Sequence, residues 1–415
     1  MDILPSTHYH TPFVKRFNSE HPANAHGLDL SDEALIAAAR AETGLERFGD
    51  ESFRQPMKIL LDAVDKEAHL NPFGRFNARM RTLRSLGNLL RANACLEAYP
   101  EIRRRKIAAP IIIVGLHRSG TTRLQRMMAT DPRLQYLRTW EGFNPAPRLD
   151  LPELGKTARR EEVRQHLLSG KDLYPGAFTA HPMDADWPEE EMLLLNHSFS
   201  GFAPLGLYHV PSYYRWFLDD DKNAAYRAMA ELMKLISWAR GETEGQRWLL
   251  KNPQHMLNLP TLLQTFPDAK LVFMHRDPLK TVGSILSLSW SYAVQHTDLP
   301  CRAWIRDTWM DFYEQMARRC MSAREKLPAS QQLDVHFEDM NGDWRKVMSR
   351  IYTFAGLDFN TDAEHAMATW LADSEREGHH KGHRYALEDF GLTKDEVNAR
   401  MMFYREHYRI PSEGK

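Results

Sequence analysis

The sequence predicts an α/β fold: a P-loop-like parallel sheet flanked by helices, with a helical amino-terminal region over 1–108 and, inside the remaining 109–415, a helical and aromatic cap insertion at about 145–245. Three observations carry this. The stretch "PIIIVGLHRSGTTRLQRMM", from Pro110 to Met128, reads as a short apolar strand, a glycine-framed loop and the start of a helix. After Pro110, short apolar or β-branched runs alternate with helical stretches, the pattern of a parallel sheet. Before residue 108 the apolar residues recur at helical spacing instead.

In the amino-terminal region, "LSDEALIAAARAETGL" opens with Ser31 as an N-cap and places Asp32 and Glu33 in the first turn. The segments "FRQPMKILLDAVDKEA" and "RMRTLRSLGNLLRANACLEAY" follow the same period, and their arginines read as a solvated face. The strands are expected at 111–114, 248–250, 271–273 and 333–337, with "PQHMLNLPTLLQTF" and "WRKVMSRIYTFAG" among the helices between them. Ligands of an open α/β sheet bind beyond the carboxyl ends of its strands. The residues to inspect are therefore "GLHRSGTT", "KNP" at Lys251, "HRDP" from His275, and "HFED" from His336.

The loop from Gly115 to Thr122 has Thr121 where a GxxxxGK[ST] loop carries lysine. Its backbone N–H groups and the positive end of the following helix still make an anion site. Without that lysine, and with Arg118 and three hydroxyls in its place, nucleoside triphosphate hydrolysis is the weaker reading. In "LVFMHRDPLKTVGSILSL" Arg276 leaves a strand end, Pro278 suits a first helical turn, and Ser284 follows eight residues after the arginine. One phosphate can touch both, the arginine offering a planar fork and the serine an uncharged donor. An ion pair between Arg276 and Asp277 is the structural alternative.

Composition sets the frame for these sites. The chain of 415 residues is 43% hydrophobic and 26% charged, the balance of an ordinary globular protein, and its net charge of −1 gives no bulk attraction to nucleic acid or an anionic membrane. Any anion site is local. No run approaches the roughly 18–20 apolar residues of a spanning helix, and the first residues lack a basic stretch followed by an apolar core. Cys95, Cys301 and Cys320, odd in number and widely spaced, argue against a disulfide framework and fit a reducing cytoplasm.

Taken together, the loop, Lys251 and the RDP segment resemble the sulfotransferase family that uses 3′-phosphoadenosine 5′-phosphosulfate. The resemblance covers roughly 109–357 and a tail at 385–408, and it is weakest over the amino-terminal helices. It implies that His117, Arg118, Ser119, Gly120, Thr121 and Thr122 hold the 5′-phosphosulfate end, with His117 where proline is common in the family. It implies further that Arg276 and Ser284 hold the 3′-phosphate and that Lys251 faces the sulfuryl group. Phe337 stands where many relatives carry tyrosine, which keeps adenine stacking and loses a hydroxyl contact. Lys381 and Gly382, in "GHHKGHRY", resemble a basic loop that closes over the 3′-phosphate in some members. The alternative for His379, His380 and His383 there is a metal site, but no cysteine partner is near, and no metal is expected.

The expected chemistry is in-line displacement on a sulfuryl group that is already activated, with charge stabilised by Lys251, Arg118 and the loop N–H groups. Two residues are candidates for the base that takes the acceptor proton. Glu141 in "RTWEGFNP" follows the loop closely, and His181 in "TAHPMDADWPEEEMLLL" suits general-base work without much tuning, although it can also cap the helix that Glu189, Glu190 and Glu191 begin. The aromatics of "HSFSGFAPLGLYHVPSYYRWFLDD" form either a helical core or the wall of an apolar acceptor pocket. The partner expected is thus a lipophilic small-molecule acceptor bearing a hydroxyl or amine. A nucleotide or nucleoside kinase and a non-catalytic nucleotide-binding protein are the competing readings.

Overall fold

The computed structural model describes residues 6–21, 28–241, 247–299, 301–376 and 386–413. Its centre is one parallel sheet of five strands: β1 (Ile111–Gly115), β2 (Leu134–Tyr136), β3 (Arg247–Lys251), β4 (Lys270–His275) and β5 (Gln332–His336), in the order β2-β3-β1-β4-β5. β1 lies between β3 and β4, with Ile111 opposite Leu249 on one side and Lys270 on the other. Every carboxyl end therefore points to the same edge.

Both faces of the sheet are covered, which is why β1 is buried at every position. Ile112, Val114, Trp248, Leu250, Leu271 and Phe273 join one core, while Ile111, Ile113, Leu249, Val272, Met274 and Val335 join the other. The period of two in β1 thus sends alternate side chains to opposite cores. The first core continues through the cap helices Ala203–Leu207, Pro211–Asp219 and Asn223–Arg240 into the amino-terminal helices Asp32–Thr43, Arg54–Lys66 and Pro72–Ala98. The second is closed by Thr121–Met128, Trp344–Ala355 and Thr361–Arg376.

The four expected strands are present within two residues of their expected ends. Phe337 is the exception: it is the first residue of the helix Phe337–Gly342, one position past β5. β2 was not foreseen, because three residues are too few to show a period. Ser31 does stand at the N-cap, yet its hydroxyl donates to Asp29 at 3.1 Å and makes no cap bond. Gly44, in the left-handed region at φ 67°, ends that helix.

Candidate active site

The phosphate-type loop is built by close backbone approach. A Cβ on Gly115 would lie 2.6 Å from the Met274 carbonyl oxygen, and one on Gly120 would lie 2.6 Å from the Phe337 ring. Gly120 also has φ 94°, a conformation that side chains oppose. The helix Thr121–Met128 starts there with no side-chain cap, so its first N–H groups are not taken by a capping side chain. Ser119 donates to the Leu116 carbonyl at 2.7 Å and holds the turn.

The RDP segment reaches this loop directly. Arg118 Nε donates to Ser284 Oγ at 2.9 Å, and Arg276 Nη1 donates to the Arg118 carbonyl at 3.1 Å. The guanidinium carbon of Arg276 lies over the Phe337 ring, 3.8 Å from its centre. Asp277 does not pair with Arg276. It caps the helix Pro278–Ala293 by accepting from Leu279 N–H at 3.0 Å, and Arg276 instead grips Glu413 through two hydrogen bonds of 2.7 and 2.9 Å. The Glu413 N–H then donates to Asp277 at 2.9 Å, which seats the tail. A carboxylate of this chain thus occupies the fork of the arginine.

Lys251 ends β3 fully buried. Its ammonium donates to Thr122 Oγ1 at 3.3 Å and forms a short ion pair with Glu190, and its backbone N–H donates to Glu191 at 2.9 Å. Three successive carboxylates after Pro188 thereby have three separate tasks. Glu189 pairs with His181 Nε2 at 3.1 Å, Glu190 with Lys251, and Glu191 with His255 at 2.6 Å, whose other nitrogen meets Tyr226 at 2.7 Å. Burial alone pushes the Glu189 carboxyl up, but His181, Lys251 and Arg126 together bring it down to about 2. Burial and the neighbouring Glu189 charge outweigh Lys251 at Glu190 and hold its carboxyl above the ordinary carboxylate value.

Two residues expected at the site have side chains engaged within the protein. Glu141 is 2% exposed and fully engaged: it caps its own short helix with Arg138, at 3.2 Å, and forms a two-point pair with Arg240 that includes a 2.8 Å bond from Nε. The His117 ring is enclosed by Phe202, Trp309, Phe312 and Tyr313, with neither nitrogen hydrogen-bonded, and burial followed by the charges of Lys251 and Arg118 lowers it to about 3. It is a neutral packing residue of the loop. Lys381 and Gly382, with His379, His380 and His383, lie outside the described residues. Among the described residues no group of three or more His, Cys, Asp or Glu side chains is arranged to hold a metal ion.

The sequence reading missed Glu190, its neighbours' division of labour, His255 and Glu413. A signal for the first was present: three acids lead directly into the apolar "MLLL", and acids drawn out of water need partners.

A family model described as "Sulfotransferase family" matches residues 110–361. The chain belongs to the sulfotransferase family. Among solved structures it is similar to the sulfotransferase STF1 of Mycobacterium tuberculosis H37Rv, with 31% identity, a TM-score of 0.76, and coverage of 89% of this chain and 98% of that one. It is also similar to the sulfotransferase STF9 of Mycobacterium avium, with 25% identity, a TM-score of 0.79, and coverage of 95% and 100%. A curated relative, the omega-hydroxy-beta-dihydromenaquinone-9 sulfotransferase Stf3 of Mycobacterium tuberculosis, is 24% identical over 255 residues. That match spans 60% of this chain and 63% of the relative's length, so the chain covers less than two thirds of it.

Proposed function

We propose that this chain transfers a sulfuryl group from 3′-phosphoadenosine 5′-phosphosulfate to a hydroxyl or amine of a lipophilic small molecule. The observation that carries the reading is the meeting of two cationic stations at one sheet edge. The first is the loop with Lys251 and the second is Arg276 with Ser284, joined by Arg118. Two stations suit a donor with phosphate at both ends of its ribose. The loop N–H groups and the start of Thr121–Met128 take the phosphosulfate, and Arg276 and Ser284 take the 3′-phosphate after Glu413 leaves.

In this reading Lys251 stabilises charge on the oxygen that bridges phosphorus and sulfur. When that oxygen recruits the ammonium, Glu190 is released from its ion pair and becomes the base. The acceptor oxygen or nitrogen bonds to sulfur, the bridging S–O bond breaks, the acceptor proton goes to Glu190, and the 3′,5′-bisphosphate departs. Glu189 and His181 position Glu190, and Glu141 serves the fold. The acceptor class is supported by the relative named for a hydroxylated menaquinone derivative and by the aromatic cap. The three cysteines are buried free thiols, which supports a cytoplasmic location. Among the described residues no helix is long and apolar enough to cross a membrane.

The test is turnover with a labelled sulfate donor and a lipid-rich metabolite extract, read by mass. Products heavier by one sulfo group support the proposal. Label transferred from the γ-phosphate of magnesium ATP, with none from the sulfate donor, supports the kinase reading.

A further inference from the structure

The amino-terminal helices do more than cover the core. With the cap they enclose a cavity of about 100 Å³ whose walls include Leu60, Leu61 and Val64 from one helix, and Leu193, Phe199 and Leu207 from the cap. The wall begins close to the proposed base, since Leu193 lies three residues past Glu190 and donates its N–H to the Glu190 carbonyl at 3.1 Å.

Two cations break this apolar lining. Arg81 and Arg84, one turn apart on Pro72–Ala98, both face the cavity, and among the described residues neither has an ion-pair partner. Arg81 donates to the neutral Asn77 at 2.6 Å, and Arg84 lies over the Phe143 ring at 5.2 Å. The acid nearest in charge to Arg84, Glu162, is taken by Arg148 at 3.0 Å. Around Arg81 stand Tyr174, Tyr208, Tyr292 and His296, all neutral because burial raises the phenols and lowers the imidazole. Beside Arg84 the buried imidazole of His166 is likewise lowered, to about 3. Two like charges a turn apart, half out of water and lacking a counterion, are unfavourable for the free chain. An anionic ligand removes that cost.

We propose that the cavity holds the apolar body of the acceptor and that Arg81 and Arg84 bind an acidic group, a carboxylate or an oxyanion ester, carried by that same molecule. The proposal rests on the sulfuryl-transfer reading for the word acceptor, and on the cavity alone for the anion site. It makes the amino-terminal region part of substrate recognition.

The probes are ω-hydroxydodecanoic acid, its methyl ester and the matching diol, with binding to the full chain measured by calorimetry before any donor is added. The acid is expected to bind about tenfold more tightly than the ester or the diol, the scale of charge-assisted hydrogen bonds. Arg84→Gln and Arg81→Gln should each erase most of that preference while the affinity for 3′,5′-adenosine bisphosphate stays at the wild-type value, which also shows that the variants are folded. Equal binding of acid and ester, or a preference that survives in the double variant, overturns the proposal. Arginine-dependent binding with no transfer from the sulfate donor leaves the anion site standing and overturns the sulfuryl-transfer reading instead.

Discussion

At Glu190 the balance of burial, a neighbouring carboxylate and one ammonium decides what the residue can do. Burial and Glu189 raise its proton affinity and Lys251 lowers it, with the net shift upward. A base must be ionised, so turnover should fall as pH drops through a value above the ordinary carboxylate range, and Glu190→Gln should remove that limb and cost about a hundredfold or more in kcat. Glu141→Gln makes the contrast. Its buried carboxylate holds two guanidiniums, that of Arg240 mostly out of water and that of Arg138 about a third exposed, so its loss should lower stability by about 3 kcal/mol and leave kcat near that of the parent. Rates across pH and thermal midpoints of both variants check this pair, and a hundredfold kcat loss confined to Glu141→Gln would reverse the two roles.

At the scale of elements, the carboxyl-terminal tail covers Arg276. It holds the arginine with two charge-assisted hydrogen bonds and is seated by one backbone bond to Asp277. Glu413→Gln should therefore tighten 3′,5′-bisphosphate binding about tenfold, since a competing charged contact is worth roughly 1.5–3 kcal/mol. Unchanged affinity on calorimetric titration contradicts the competition. The tail was illegible in the sequence because nothing local links residue 413 to 276. The strands and the loop were legible for the opposite reason: β1, Gly115 and Gly120 obey short-range constraints of burial period and backbone approach. Arg276, Ser284 and Arg118 were legible as a set through motif spacing, and they do meet. The role proposed for Glu190 was not, because closeness in sequence to the loop favoured Glu141 as the base, whereas the Pro188–Glu191 turn is irregular and reaches Lys251 only through the fold.

For the whole molecule, burial sets a common fate for several histidines. His117, His166 and His296 are lowered to about 3 and His197 to about 4, from an ordinary 6.5. The unfolded chain binds protons at these sites from about pH 6.5 downward while the folded chain does not, so stability is lost as pH falls through that window. Unfolding near pH 5 should take up about four protons from this group. Calorimetry in buffers of different ionisation enthalpy measures the number, and an uptake near zero contradicts the burial account.

In the proposed function the loop with Lys251 and the Arg276 station bind opposite ends of one nucleotide. The direct measurement is calorimetric affinity for adenosine 3′,5′-bisphosphate against adenosine 5′-monophosphate, in the parent chain and in Arg276→Ala. The bisphosphate should bind at least about tenfold more tightly to the parent, because the 3′-phosphate adds charge-assisted hydrogen bonds, and Arg276→Ala should abolish most of the difference. Equal affinity for the two nucleotides in the parent chain, or a preference that Arg276→Ala leaves intact, contradicts it.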